Sequence, residues 1–146
     1  MDGRHLSRLL DEAAATRPDR SAVEDESGRS LTYAQLLRAA DRVAARLARW
    51  GIGQGDRVGL WLPKSLESVA AIHGILRAGA VYVPVDPTGP AGRAQGIFTD
   101  GGARAVVVSA RLAPALRASW TDAASPRLIV VEDEGESGPI ADDDAT

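Results

Sequence analysis

Val58-Gly59-Leu60-Trp61-Leu62-Pro63 is the run that decides the fold. Its residues are apolar or glycine until a proline ends it, which suits a strand covered on both faces in a parallel sheet. Just downstream, Ser65 is placed to cap a helix that runs through Arg77, and Gly79 to end it. Leu66, Val69, Ala70, Ile72, Ile75 and Leu76 cover most of that helix's circumference, so deep packing is expected. Val81-Tyr82-Val83 follows as a second strand, with Pro84 and Pro87 bracketing the turn after it. The alternation continues with a weaker helix from Ala91 to Thr99, a strand from Ala105 to Val108, a helix from Leu112 to Trp120 and a strand from Leu128 to Val131. The predicted fold is therefore α/β, a mostly parallel βαβ sheet with flanking helices.

The upstream part reads as a cover for this sheet. Leu6, Leu9, Leu10 and Ala13 fall at helical spacing, and Arg17-Pro18 stops that helix. Ala22-Val23 and Ser30-Leu31 flank Glu26-Ser27-Gly28 as a short hairpin. The strongest helix runs from Thr32 to Trp50. Thr32 and Gln35 form a capping box, in which the hydroxyl takes a backbone N–H and the amide reaches back. Leu36, Ala40, Val43, Leu47 and Trp50 make one apolar stripe, and Gly51 suits a left-handed cap.

Length and composition bound the function. A chain of 146 residues with 45% apolar residues and 25% charged ones is one ordinary globular domain. The absence of Cys excludes disulfides, a thiolate zinc site and a thiol nucleophile, and two His leave little for a His-based metal site. A net charge of -3 gives no reason to expect nucleic acid, and no apolar run is long enough to span a membrane. Met1 to Leu10 lacks the apolar stretch of a signal peptide, so cytoplasm is the expected compartment. Charge is unevenly placed: seven acids and no base lie between Glu132 and Thr146, and removing them from -3 leaves residues 1–131 at +4. The expected division is a folded unit over 1–131 and an acidic loop or linker over 132–146.

Each candidate site has a plainer structural reading beside it. Gly51-Ile52-Gly53-Gln54-Gly55 looks like a phosphate loop, but a helix precedes it and a strand follows, the reverse of what aims amides at a phosphate. It reads as a helix cap and turn. Lys64-Ser65 lacks the glycines of a Walker sequence. His73 is either a catalytic base or a core histidine, and the residues one turn on, Leu76 and Arg77, offer it no partner. Asp86 follows a strand, where α/β sites form, yet it sits between prolines as turn-forming acids do, with Arg93 near enough to pair. Ser109 follows a strand without the glycines of a nucleophile elbow and reads as an N-cap. Arg38, Arg42, Arg46 and Arg49 read as a solvated helix face.

Several segments carry a family likeness. Leu31-Thr32-Tyr33-Ala34-Gln35-Leu36 resembles the Leu-Thr-Tyr-x-Glu-Leu segment near the start of adenylate-forming (AMP-binding) enzymes. That superfamily holds acyl-CoA synthetases, the adenylation domains of nonribosomal peptide synthetases, and luciferase. Leu76-Arg77-Ala78-Gly79-Ala80-Val81-Tyr82-Val83-Pro84-Val85-Asp86-Pro87 is similar to the family's Leu-Lys-Ala-Gly-Ala-Tyr-Val-Pro-Leu-Asp-Pro segment. Gly55-Asp56-Arg57-Val58-Gly59, leading into Leu60-Trp61-Leu62-Pro63, matches as well, as does Pro90-x-x-Arg93. The order agrees from residue 6 to about 131, and the wording leans toward the amino-acid-activating branch.

The resemblance implies an incomplete N-terminal subdomain of an ATP-dependent ligase. Such a ligase makes an acyl adenylate from a carboxylic or amino acid and passes the acyl group to a CoA or carrier-protein thiol. ATP and Mg²⁺ are implied for the full-length parent, with none bound by this part. The family's Lys-containing phosphate loop, its Tyr-Thr-Gly-Asp segment, the carboxylate pocket, the hinge and the small C-terminal domain have no counterpart here. Ala141-Asp142-Asp143-Asp144-Ala145-Thr146 resembles what comes just before the phosphate loop. None of the matched residues is catalytic in the family, so no catalytic, cofactor-binding or metal-binding residue is expected in this chain. The expected partner is the remainder of the adenylation domain, with an open strand edge and apolar surface left where it joins. The alternative is a short non-catalytic interaction module that pairs with a separately encoded synthetase part. A free-standing flavodoxin-like nucleotide binder is the weakest reading, for want of a phosphate loop.

Overall fold

The computed structural model describes residues 3–121 and 125–132, with side chains from residue 6 onward. Apart from Glu132, the expected acidic linker lies outside the described residues.

Eleven elements follow in order: α1 (Gly3–Thr16), β1 (Ser21–Glu24), β2 (Ser30–Thr32), α2 (Tyr33–Arg49), β3 (Arg57–Trp61), α3 (Leu66–Arg77), β4 (Val81–Pro84), α4 (Ala91–Asp100), β5 (Ala105–Ser109), α5 (Ala113–Ser119) and β6 (Arg127–Val131). β1 and β2 form the antiparallel hairpin read from the sequence. The other four strands make one parallel sheet in the order β4-β3-β5-β6. The α/β reading therefore holds.

Alternation along the central strands sends side chains to two cores. Val58 and Leu60 of β3 and Ala105 and Val107 of β5 face α2 and α3, where they meet Leu36, Val43, Leu47 and Ile75. Trp61, Val106 and Val108 face the opposite way, onto Phe98 of α4 and Leu116 of α5. Each buried Val, Leu, Ile or Phe side chain among these contributes roughly 1.5–3 kcal/mol of transfer free energy. Two glycines are demanded by close approach. A Cβ on Gly59 would lie 2.4 Å from the Phe98 ring, and one on Gly74 would lie 2.4 Å from Val43 Cβ, where α2 crosses α3.

The caps form as read. Thr32 and Gln35 make both bonds of the capping box, and Ser65 does the same with Ser68 at the start of α3. Gly51 and Gly79 follow their helices at positive φ. Leu9 departs from its predicted stripe: α1 buries Leu10 and Ala14 and leaves Leu9 exposed. β4 lies at the sheet edge, and Val81 and Tyr82 are 51% and 37% exposed, an open edge with apolar surface of the kind expected. Its apolar composition reads the same as that of a covered strand, because periodicity does not encode strand order.

Candidate functional site

β3 leads into α3 on one face of the sheet, whereas its neighbour β5 leads into α5 on the other. Chains diverging from adjacent parallel strands open a crevice at the carboxyl ends, where ligands of α/β sheets collect. Here the crevice is a cleft of about 460 Å³. Its polar lining is Lys64, Ser65, Glu67, Ser109, Arg111 and Glu132, and Leu62, Pro63 and Val131 supply the apolar part.

Each polar group is set by the fold. Ser65 is committed to capping, since its Oγ accepts from Ser68 N at 3.1 Å and donates to the Pro63 carbonyl at 3.0 Å. Glu67 stands in the first turn of α3 with its side chain 4% exposed, and its Oε1 takes a 2.7 Å bond from Arg29 Nη2 of the hairpin end. Glu67 Oε2 is buried without a hydrogen-bond partner, as is Ser109 Oγ. Burying a polar group unpaired costs about 1–3 kcal/mol, so two such atoms on one cleft call for a reason. Lys64 and Arg111 are exposed on the rim, and neither has an ion pair or hydrogen bond among the described residues.

Of the residues singled out from sequence, Lys64, Ser65 and Ser109 line the cleft and the others fall elsewhere. Ser109 is not an N-cap: it ends β5, and α5 begins at Ala113 after Leu112, with Pro114 in its first turn in place of a capping side chain. Among the described residues no imidazole or carboxylate is bonded to Ser109 Oγ to activate it as a nucleophile. Asp86 shapes its turn, its Oδ1 accepting from Thr88 N at 2.9 Å and Thr88 Oγ1 at 2.7 Å. Those bonds hold its carboxyl below the usual range, and Arg93 adds only a through-space pull, not the ion pair anticipated. Trp61 Nε1 donates to the Asp86 carbonyl at 3.0 Å, tying that turn to β3. His73 is half-buried in α3, where burial, aided by the Arg77 charge, pushes its pKa down. Arg38, Arg42 and Arg49 are exposed as expected, while Arg46 and Arg127 stand over the Trp50 ring at 5.9 and 5.5 Å.

The glycine turn lies at the other end of the sheet, where β3 begins. Gly53 N donates to Asp56 Oδ2 at 2.9 Å and Gly55 N to the Gly79 carbonyl at 3.0 Å, so these amides are already used. Arg104 Nη1 reaches both Asp56 Oδ2 and the Gly51 carbonyl at 3.1 Å.

Residues 10–145 match the family described as AMP-binding enzyme. The chain belongs to the AMP-binding enzyme family. Among its relatives is syringomycin synthase SyrB1 of Pseudomonas syringae pv. syringae, 43% identical over 67% of this chain and 16% of that protein. Another is surfactin synthase subunit 1 of Bacillus subtilis, 35% identical over 90% of this chain and 4% of that protein. Among solved structures, a fatty acyl CoA synthetase of Mycobacterium tuberculosis superposes with a TM-score of 0.73 at 32% identity, over 86% of this chain and 26% of that one. The nonribosomal peptide synthetase FmoA3 does so with a TM-score of 0.73 at 34% identity, over 86% of this chain and 13% of that one. The chain thus spans a small part of each relative and structure named.

The family name implies a nucleotide, and the described residues do not fit Mg²⁺–ATP. No group of three or more His, Cys, Asp or Glu among them is arranged to hold a metal ion. The glycine turn has spent its amides, and the cleft places the Glu67 carboxylate beside its two cations. No helix among the described residues is long and apolar enough to cross a membrane.

Proposed function

We propose that the chain is the N-terminal scaffold of an ATP-dependent ligase that activates a carboxylic or amino acid as its acyl adenylate and transfers it to a CoA or carrier-protein thiol. The observation that carries this reading is the family match over residues 10–145 of a chain that spans so little of each relative. The peptide-synthetase relatives favour the amino-acid-activating branch. ATP and Mg²⁺ belong, on this reading, to parts of the parent outside this chain, and the parent works in the cytoplasm. The role of the present residues is to build the parallel sheet on which those parts rest. The alternative, a non-catalytic module pairing with a separately encoded synthetase part, draws support from the free edge of β4.

Carboxylate-dependent ATP–pyrophosphate exchange separates scaffold from enzyme. The 146-residue chain alone should give none across a panel of amino and fatty acids. Robust exchange by that chain would overturn the scaffold reading.

A further inference from the structure

The hydrogen bonds around β4 fix which way its backbone groups point. Val81 N donates to the Asp56 carbonyl at 2.8 Å, and Val85 N to the Leu60 carbonyl at 2.9 Å. The register sets Val81 beside Arg57 and Val83 beside Gly59, so Val81, Val83 and Val85 turn their N–H and C=O groups toward β3. Backbone groups alternate along a strand, so Tyr82 and Pro84 turn theirs outward. β4 is the edge of its sheet, and no described strand lies beyond it.

That outward row is short of donors. It offers two carbonyls, of Tyr82 and Pro84, and one N–H, of Tyr82, because proline has none. Ala80, just before the strand, spends its N–H on the Ile75 carbonyl at 3.1 Å. In other respects β4 has the makings of an adhesive edge. Val81-Tyr82-Val83 is a run of strong strand formers without a charge, and Val81 and Tyr82 are exposed. Two copies meeting β4 to β4 bring one outward N–H each, so in any register, parallel or antiparallel, the pair gains at most two hydrogen bonds. We propose that Pro84 guards this edge and keeps β4 from pairing with the β4 of a second copy. A strand from a different segment, bringing its own N–H groups to the Tyr82 and Pro84 carbonyls and a carbonyl to the Tyr82 N–H, can still make three. The edge therefore discriminates by donor supply, disfavouring its own kind while staying usable by other strands. The proposal is independent of the ligase reading, since it needs only the described sheet.

Sedimentation of the full 146-residue chain tests it. Pro84→Val returns one outward N–H to each copy and should tighten self-association at least about tenfold, because two more hydrogen bonds become available to the pair. Adding Val81→Lys to that variant charges the edge without touching its donors, and should bring association back to the level of the unaltered chain. Amide exchange in β3 and β5 should be the same in all three chains, as proof of folding. The Tyr82 amide of the unaltered chain gives a reading that needs no variant. It should exchange within about tenfold of the free-peptide rate at every protein concentration, as an unbonded edge amide does. Should Pro84→Val disturb β3 or β5, that amide decides. Protection of the Tyr82 amide that grows with concentration would overturn the proposal. So would a folded Pro84→Val chain that associates no more tightly than the unaltered one, or tighter association that Val81→Lys leaves intact.

Discussion

The two ends of the parallel sheet are built from similar residues and finished in opposite ways. At the amino ends of β3 and β5, Asp56, Arg104, Arg57 and the glycine turn satisfy one another, with Arg57 Nη1 on the Gly101 carbonyl at 2.8 Å. At the carboxyl ends, among the described residues, a carboxylate oxygen and a hydroxyl are buried unbonded, and Lys64 and Arg111 on the rim have no ion pair. A fully satisfied polar network rigidifies its end of the sheet, whereas a partly satisfied one carries a desolvation cost. The glycine-rich turn, which looks more like a site in the sequence, is at the closed end.

Three substitutions probe this contrast, from the largest expected effect to the smallest. Arg29→Ala strips the Glu67 carboxylate of its counter-ion in a site that is 4% exposed, and a loss of about 3 kcal/mol in urea unfolding is expected. Replacing both residues by Met should recover most of it. A loss under about 1 kcal/mol would mean that Glu67 is solvated, and the carboxyl end would no longer be the costly one. Asp56→Ala breaks the closed end and should lower the thermal midpoint at pH 7. The Gly53 N–H, together with the nearby Arg104 charge, holds the Asp56 carboxyl below its usual range. A lowered folded-state pKa gives stability that is present above the unfolded value, about 4, and is lost as pH falls toward the folded one. The gap between wild type and variant should therefore shrink below pH 4, and a gap constant down to pH 2 would remove the charge from the explanation. Ser109→Ala should change stability by less than about 1 kcal/mol in either direction, since no described group loses a partner. A larger loss would show that the hydroxyl is already strongly bonded, and the contrast between the ends would fade.

Much of the fold was legible because its signals are local. Thr32 with Gln35, Ser65 ahead of an apolar helix, and Gly51 and Gly79 after their helices each declare a boundary within a few residues. The cleft was not legible, because its parts are distant in sequence. Glu67 reads as an ordinary acid in a helix's first turn, favourable to the dipole, and its burial depends on Arg29, 38 residues earlier. Ser109 was misread for a related reason: Pro114 lets α5 start without a capping side chain, which frees the hydroxyl to end β5 instead. The exposure of Val81 and Tyr82 follows from strand order, which alternation leaves open.

The strand order β4-β3-β5-β6 also fits the direction of synthesis. The central strand β3 leaves the ribosome first, after α2, which covers one of its faces. β4 then adds on one side, β5 on the other, and β6 outside β5. No strand has to be threaded between two that are already paired, so each addition extends what exists, as expected of domains that fold from the N-terminus during translation.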